Sequence, residues 1–223
     1  WYAVNNTEIV LMPKNHLETF GATHLHYHLI SELMDSVNRI RIREGTIRSR
    51  TPQIITPAYY AHELMDGFGE QANQYLDWLR EHAKDLRMLE YGFKVQKTEL
   101  SEQVVTGNLT EIVEQVKKRV LDAADPLVGV ILGVDNPWDV CLIKFMVDVI
   151  RQSAPRNMQE LAQRHLWDDA GGAPRGVREE IESLFQKARH DAVKIKDLGM
   201  ALRRYGLFEE YEDRFFALIR QKN

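Results

Sequence analysis

Residues 38–50 read NRIRIREGTIRSR, placing five arginines in thirteen positions. A guanidinium is always charged near neutral pH, and its planar fork matches two oxygens of a carboxylate or phosphate. Taking Glu44-Gly45 as a two-residue turn folds the stretch into a β-hairpin, with 42 opposite 47, 41 opposite 48 and 39 opposite 50. Ile40, Ile42 and Ile47 then share one face, and Arg39, Arg41, Arg43, Arg48 and Arg50 share the other. A three-residue turn with a glycine bulge would mix the two sets, so the hydrophobic pattern selects the first register. Like charges directly opposite in a ladder cost about 0.2–1 kcal/mol per pair. The arginines are therefore expected to bind an anion: an acidic protein surface, nucleic acid, a phosphorylated ligand, or the chain's own 33 Asp and Glu. Charged strands also guard sheet edges. Tyr59 and Tyr60 are the only aromatics in the ten residues downstream, so a stacking platform for single strands is not evident.

The segment THLHYHLISELMD (23–35) holds three of the eight histidines. Leu25, Leu29, Leu33 and Val37 recur every four residues, which predicts a helix over 23–37 with Thr23 as its cap. On that helix His24, His28 and Glu32 fall at i, i+4 and i+8, with Asp35 on the same polar face and His26 nearer the apolar side. Two histidines one turn apart can share a metal that a carboxylate completes, or can work as acid, base or phosphate contact beside the arginines. A single metal rarely takes ligands from three successive turns, and the spacing is not HExxH, so a solvated helix face is the competing reading. If the segment were a strand, His24, His26 and His28 would share a face; the leucine spacing argues for the helix.

Other candidate loops offer less. GVDNPWD (133–139) follows an apolar run, where Asp135 and Asn136 could face a ligand or metal. Asn136 also suits an N-cap, Pro137 the first helical position and Asp139 the helix dipole, and this is the stronger reading. DDAGGAPRG (168–176) lacks the GK[ST] ending of a phosphate loop and reads as a mobile linker. His190-Asp191 and His62-Glu63 have no serine or cysteine motif attached, so no nucleophilic triad is read. Cys141, the one cysteine, sits in an apolar run and reads as a small buried hydrophobe in a reducing, cytoplasmic compartment.

These residues must be positioned by the surrounding elements. Residues 8–12 read as a strand ended by Pro13, and QIIT (53–56) as another. A helix start is expected at Thr56-Pro57, and a longer helix over about 70–90 with Ala72, Tyr75, Leu76, Leu79, Ala83, Leu86 and Leu89 as its stripe. YGFKVQKTEL alternates as a strand, a candidate partner of EQVVTG. Asn108 and Glu111 box the start of a helix whose Ile112, Val113, Val116 and Val120 face the core. PLVGVILGV (126–134) reads as a buried strand, followed by a helix from Pro137 to about Gln152. Beyond residue 153 only helical periodicity remains: Asn157 and Glu160 read as a cap, and Val177, Ile181, Leu184, Phe185 and Ala188 as a stripe.

The expected class is α/β or α+β: a helix-rich chain with a small mixed sheet including an Arg-rich hairpin, then an all-helical C-terminal part. The expected boundaries are 1–153 and 154–223, two parts able to pack as one unit. Of 223 residues 44% are hydrophobic and 28% charged, a globular composition, and the net charge of −4 makes any basic patch local. No run approaches the roughly 18 apolar residues of a membrane span. The chain opens on Trp1 rather than Met, which predicts a preceding segment. The function expected from this is a binding or regulatory protein presenting Arg39, Arg41, Arg43, Arg48 and Arg50 to an anionic partner, with homo-oligomerisation open. The alternative is a metal-assisted or acid–base enzyme for phosphorylated substrates, using His24, His28 and Glu32.

Overall fold

The structure, a computed structural model, describes residues 2–34, 36, 38–56 and 88–222. Asp35, Val37, Tyr59, Tyr60, His62-Glu63 and the helix expected from Pro57 lie outside the described residues. Of the helix expected over about 70–90, only 88–90 are described, and they form a strand.

In chain order the elements are α1 (Tyr2–Asn5), β1 (Glu8–Leu11), β2 (Thr23–Glu32), β3 (Arg39–Ser49), β4 (Gln53–Ile55), β5 (Met88–Glu90), β6 (Phe93–Thr106), α2 (Leu109–Ala123), β7 (Val128–Val134), α3 (Trp138–Gln163), α4 (Arg175–His190), α5 (Lys194–Arg204) and α6 (Phe208–Lys222). This is an α+β chain. It forms two compact units: residues 1–52 with 91–158, and residues 53–90 with 159–223. Helix α3 runs through residue 153 without a break. Among the described residues no helix is long and apolar enough to cross a membrane.

The first unit is built on a five-stranded mixed sheet in the order β1-β7-β2-β3-β6, where β2 and β7 are parallel and the other neighbours antiparallel. The helix expected over 23–37 is therefore corrected to a strand over 23–32. Leu25 and Leu29 share a face under either period, so their spacing could not decide. Tyr27 decides it: only 1% exposed, it lies on the same buried face as both leucines, as a period of two requires.

The expected Arg-rich hairpin is corrected: residues 39–49 do not fold back at Glu44-Gly45 but form one strand. Strand β3 runs straight through these residues and pairs along its length with β2, and the chain reverses between residues 33 and 38. Gly45 lies opposite Tyr27; a Cβ there would stand 2.8 Å from the phenol oxygen and 3.0 Å from Cζ. The glycine makes room for a ring rather than for a turn. YGFKVQKTEL and EQVVTG do not pair with one another. They are successive parts of β6, which follows β3 and shifts register opposite Gly45.

Both faces of the sheet are covered over much of their area. On one, Leu25, Tyr27, Leu29, Ile47 and Ile131 pack against Cys141, Leu142, Phe145 and Met146 of α3, and Cys141 is fully buried. On the other, Ile30, Ile40, Ile42, Val128 and Val130 meet Ile112, Val113, Val116 and Val120 of α2. The side chain of Asn108 caps α2, accepting from the Thr110 and Glu111 amides.

Helix α3 starts at Trp138, not Pro137, and does not end near Gln152. It continues through Pro155, which has no N–H to donate to the preceding turn. Asn157 is correspondingly not a cap. It is buried inside the helix, where its amide donates to Leu17 O (2.8 Å) and Thr19 Oγ1 (2.7 Å) and its oxygen accepts from Tyr91 Oη (2.8 Å). Ser153, one turn earlier, accepts from the Leu17 amide. Burial pushes the Tyr91 phenol up to about 12.

The second unit gathers the β4–β5 pair and α4 to α6 around Ile54, Leu161, Ile181, Phe185, Leu198, Leu202 and Phe215. Residues 168–176 are pinned rather than a mobile linker. Arg178 donates to the Ala170 and Gly171 carbonyls and pairs with Glu210, and the Gly176 amide donates to Leu166 O. Gly171 and Gly172 take φ of +74° and +85°, which side chains adopt with strain.

Candidate functional site

Because β3 is one straight strand, its arginines alternate instead of sharing a face. Arg39, Arg41 and Arg43 have the parity of Ile47, on the α3 side; Arg48 has the parity of Ile40 and Ile42, on the α2 side. The expectation that five arginines share a face is corrected by this alternation.

Arg41 and Arg43 are already neutralised. Nη1 of Arg41 lies 2.9 Å from both oxygens of Asp135, and Nη2 of Arg43 lies 2.9 Å from Asp135 Oδ1. Glu102, opposite Arg43 on β6, faces Arg41 Nε at 3.0 Å and accepts from Arg43 Nε at 3.1 Å. Ser31 joins the cluster, donating to Asp135, and Arg43 also lies over the Trp138 ring at 5.1 Å. The Arg43 side chain is 5% exposed and Asp135 17% exposed, so two cations and two carboxylates form one compensated, half-dry quartet. Asp135 thus faces the protein's own arginines, and Asn136 precedes Pro137 outside the helix.

The opposite side of the same strands is charged differently. Arg48 stands between His24 on β2 and Lys94 on β6, each a direct cross-strand neighbour. All three are exposed, and none has an ion pair among the described residues. Neighbouring strands are about 4.8 Å apart, so the row spans roughly 10 Å. The next row is polar: His26, whose Nδ1 is 3.3 Å from Thr46 Oγ1, then Thr46 and Gln96. Arg50 follows the strand; its amide donates to Gly92 O (2.7 Å) and its side chain lies along Gly92. Arg39, also exposed, lies on the other face opposite Thr106.

His24, His28 and Glu32 are not brought together. Four residues of strand separate successive members by roughly 13 Å. Among the described residues no three His, Cys, Asp or Glu side chains gather as a metal set. His28 sits one row from the polar row, with Nδ1 3.1 Å from Glu44 Oε1, and Glu44 is held in turn by Arg119 of α2 at 2.5 Å. Burial holds the His28 imidazole below its usual 6.5, opposed by Glu44 and reinforced by Arg119 and His26. The folded protein then binds this proton less readily than the unfolded chain, so stability falls as pH drops through about 6.5. Urea unfolding between about pH 7.5 and 5 should show that decline, and His28→Gln should flatten it. An equal decline in the variant would remove His28 as its source.

Lys94 is the member that sequence reasoning missed. Its signal was present in the alternation of residues 91–95, but its place beside Arg48 depends on which strands pair. The fold and the row together define an α+β protein carrying a basic patch on an open part of its sheet. No family, no curated protein and no solved structure matches this chain.

Proposed function

We propose that this chain is a binding protein whose sheet presents the His24–Arg48–Lys94 row, with Arg50 beside it, to an anionic partner. The observation that carries the reading is the contrast within one strand. Arg41 and Arg43 are met by two carboxylates, whereas Arg48 is flanked by a histidine and a lysine and meets no carboxylate among the described residues. Such a row repels itself, and a partner's phosphates or carboxylates would relieve the repulsion. The next row, His26, Thr46 and Gln96, is polar and carries no apolar stacking face, so recognition would run through charge.

Two linked results are expected. Inorganic polyphosphate at low salt should raise the melting temperature of the wild type and leave an Arg48→Ala/Lys94→Ala variant unmoved. Without ligand, Arg48→Thr should be more stable than wild type by about 0.2–1 kcal/mol, because it removes the like-charge contacts. A polyphosphate shift of equal size in the double variant, or none in the wild type, would contradict the proposal.

A further inference from the structure

In the second unit, helices α5 and α6 leave an open groove of about 550 Å³ between them. Its walls are apolar: Ile195 and Met200 from α5, Phe208, Phe215 and Ile219 from α6. Gly199 forms part of the floor; a Cβ there would stand 3.1 Å from Phe215 Cζ, so the glycine lets the ring lie close against α5. Phe208, Phe215 and Phe216 contact one another edge to face, with centroids 5.5–6.4 Å apart. Of the lining side chains, Met200 is 51% exposed and Phe208 half-buried. Methionine and aromatic side chains open to water at a concave site suit a partner's apolar anchors.

The charged side chains lining the groove, Lys196 and Arg203, are both basic. They are seven residues apart on α5, which places them about 10.5 Å apart along its axis. A docked helix offers anchors at i, i+3 or i+4, and i+7, the same length, and can set two acidic residues seven positions apart against this rim. We infer that the groove is a docking site for an amphipathic helix whose apolar stripe is flanked by acidic side chains. This groove shares no residue with the basic row of the sheet, and the inference does not rest on that reading.

The test uses a fluorescein-labelled helical peptide of about five turns, with leucines at i, i+3 or i+4, and i+7 and glutamates beside the stripe. A matched peptide carries lysines in place of the glutamates. Fluorescence anisotropy should show the glutamate peptide binding wild type roughly ten-fold or more tightly than the lysine peptide. Lys196→Glu/Arg203→Glu should reverse that preference. Met200→Glu, at an exposed position, should weaken the glutamate peptide by about ten-fold with the helical circular dichroism unchanged. Arg48→Ala/Lys94→Ala should leave the affinity as it was. The proposal fails if the glutamate peptide does not bind, if both peptides bind alike, or if the charge-reversed chain keeps the wild-type preference. It also fails if loss of the sheet row abolishes binding, or if sedimentation shows a dimer that Met200→Glu disperses, since a second copy would then occupy the groove.

Discussion

Asp135→Ala is expected to destabilise the protein by about 3–5 kcal/mol, the range for removing one partner of a buried ion pair. Asp135 accepts from both Arg41 and Arg43, and the Arg43 side chain is 5% exposed. A guanidinium cannot shed its proton, so the alanine variant would hold a dry, unmatched cation. Glu102 would remain, but its side chain is 44% exposed and sits on the outermost strand; Glu102→Ala should therefore cost markedly less. Asp135→Leu combined with Arg43→Met should recover much of the Asp135→Ala loss, because a well-packed apolar pair can replace a buried ion pair. Urea unfolding of the four proteins measures this directly. Equal, small effects of Asp135→Ala and Glu102→Ala would mean that the quartet is a surface feature of little energetic weight.

Gly129→Ala is the second large effect. Gly129 lies on the interior strand β7 beneath Phe145, and an added Cβ would collide with Cε2 and stand 2.5 Å from Cζ of a ring that is fully buried. The ring is enclosed with Leu25, Tyr27 and Met146, so it cannot swing aside without opening the packing of α3 on the sheet. Overpacking of this kind costs about 1–3 kcal/mol, and the depth of the clash puts this case at the top of that range. Gly129→Ala with Phe145→Leu should be more stable than Gly129→Ala alone, a coupling that a mutant cycle isolates. Gly21→Ala, whose Cβ would meet nothing nearer than 3.8 Å, is the control expected near zero. Gly129→Ala matching that control would show that the close approach of α3 to β7 is not as described.

What was legible in the sequence follows the length and purity of each pattern. The run at 126–134 and the Asn108-capped helix were readable because local signals agreed: an unbroken apolar stretch in one case, and cap and stripe in the other. Residues 23–32 were misread because leucines four apart satisfy a helix and a strand equally, and Tyr27 carried the deciding burial. Gly45 imitated a turn, since the sequence does not show the tyrosine ring that occupies its missing Cβ. Asn157 imitated a helix cap, whereas it serves a loop about 140 residues earlier in the chain. The five arginines were visible, but their division was not. Asp135 meets Arg43 from 92 residues away, and Lys94 meets Arg48 only through the register of β6.

A salt-dependent titration shows which of these arginines meet an external anion. A labelled oligonucleotide serves as a generic polyanion, followed by anisotropy from low to physiological salt. Three proteins are compared: wild type, Arg48→Ala/Lys94→Ala, and Arg39→Ala, which removes an exposed charge from the same strand on the opposite face. The log–log slope of affinity against salt should shrink by about 0.7–0.9 for each lost contact in the double variant and stay unchanged in Arg39→Ala. Equal slopes in wild type and double variant, with Arg39→Ala the one that flattens, would place the anion-binding surface on the other side of the sheet and contradict the account.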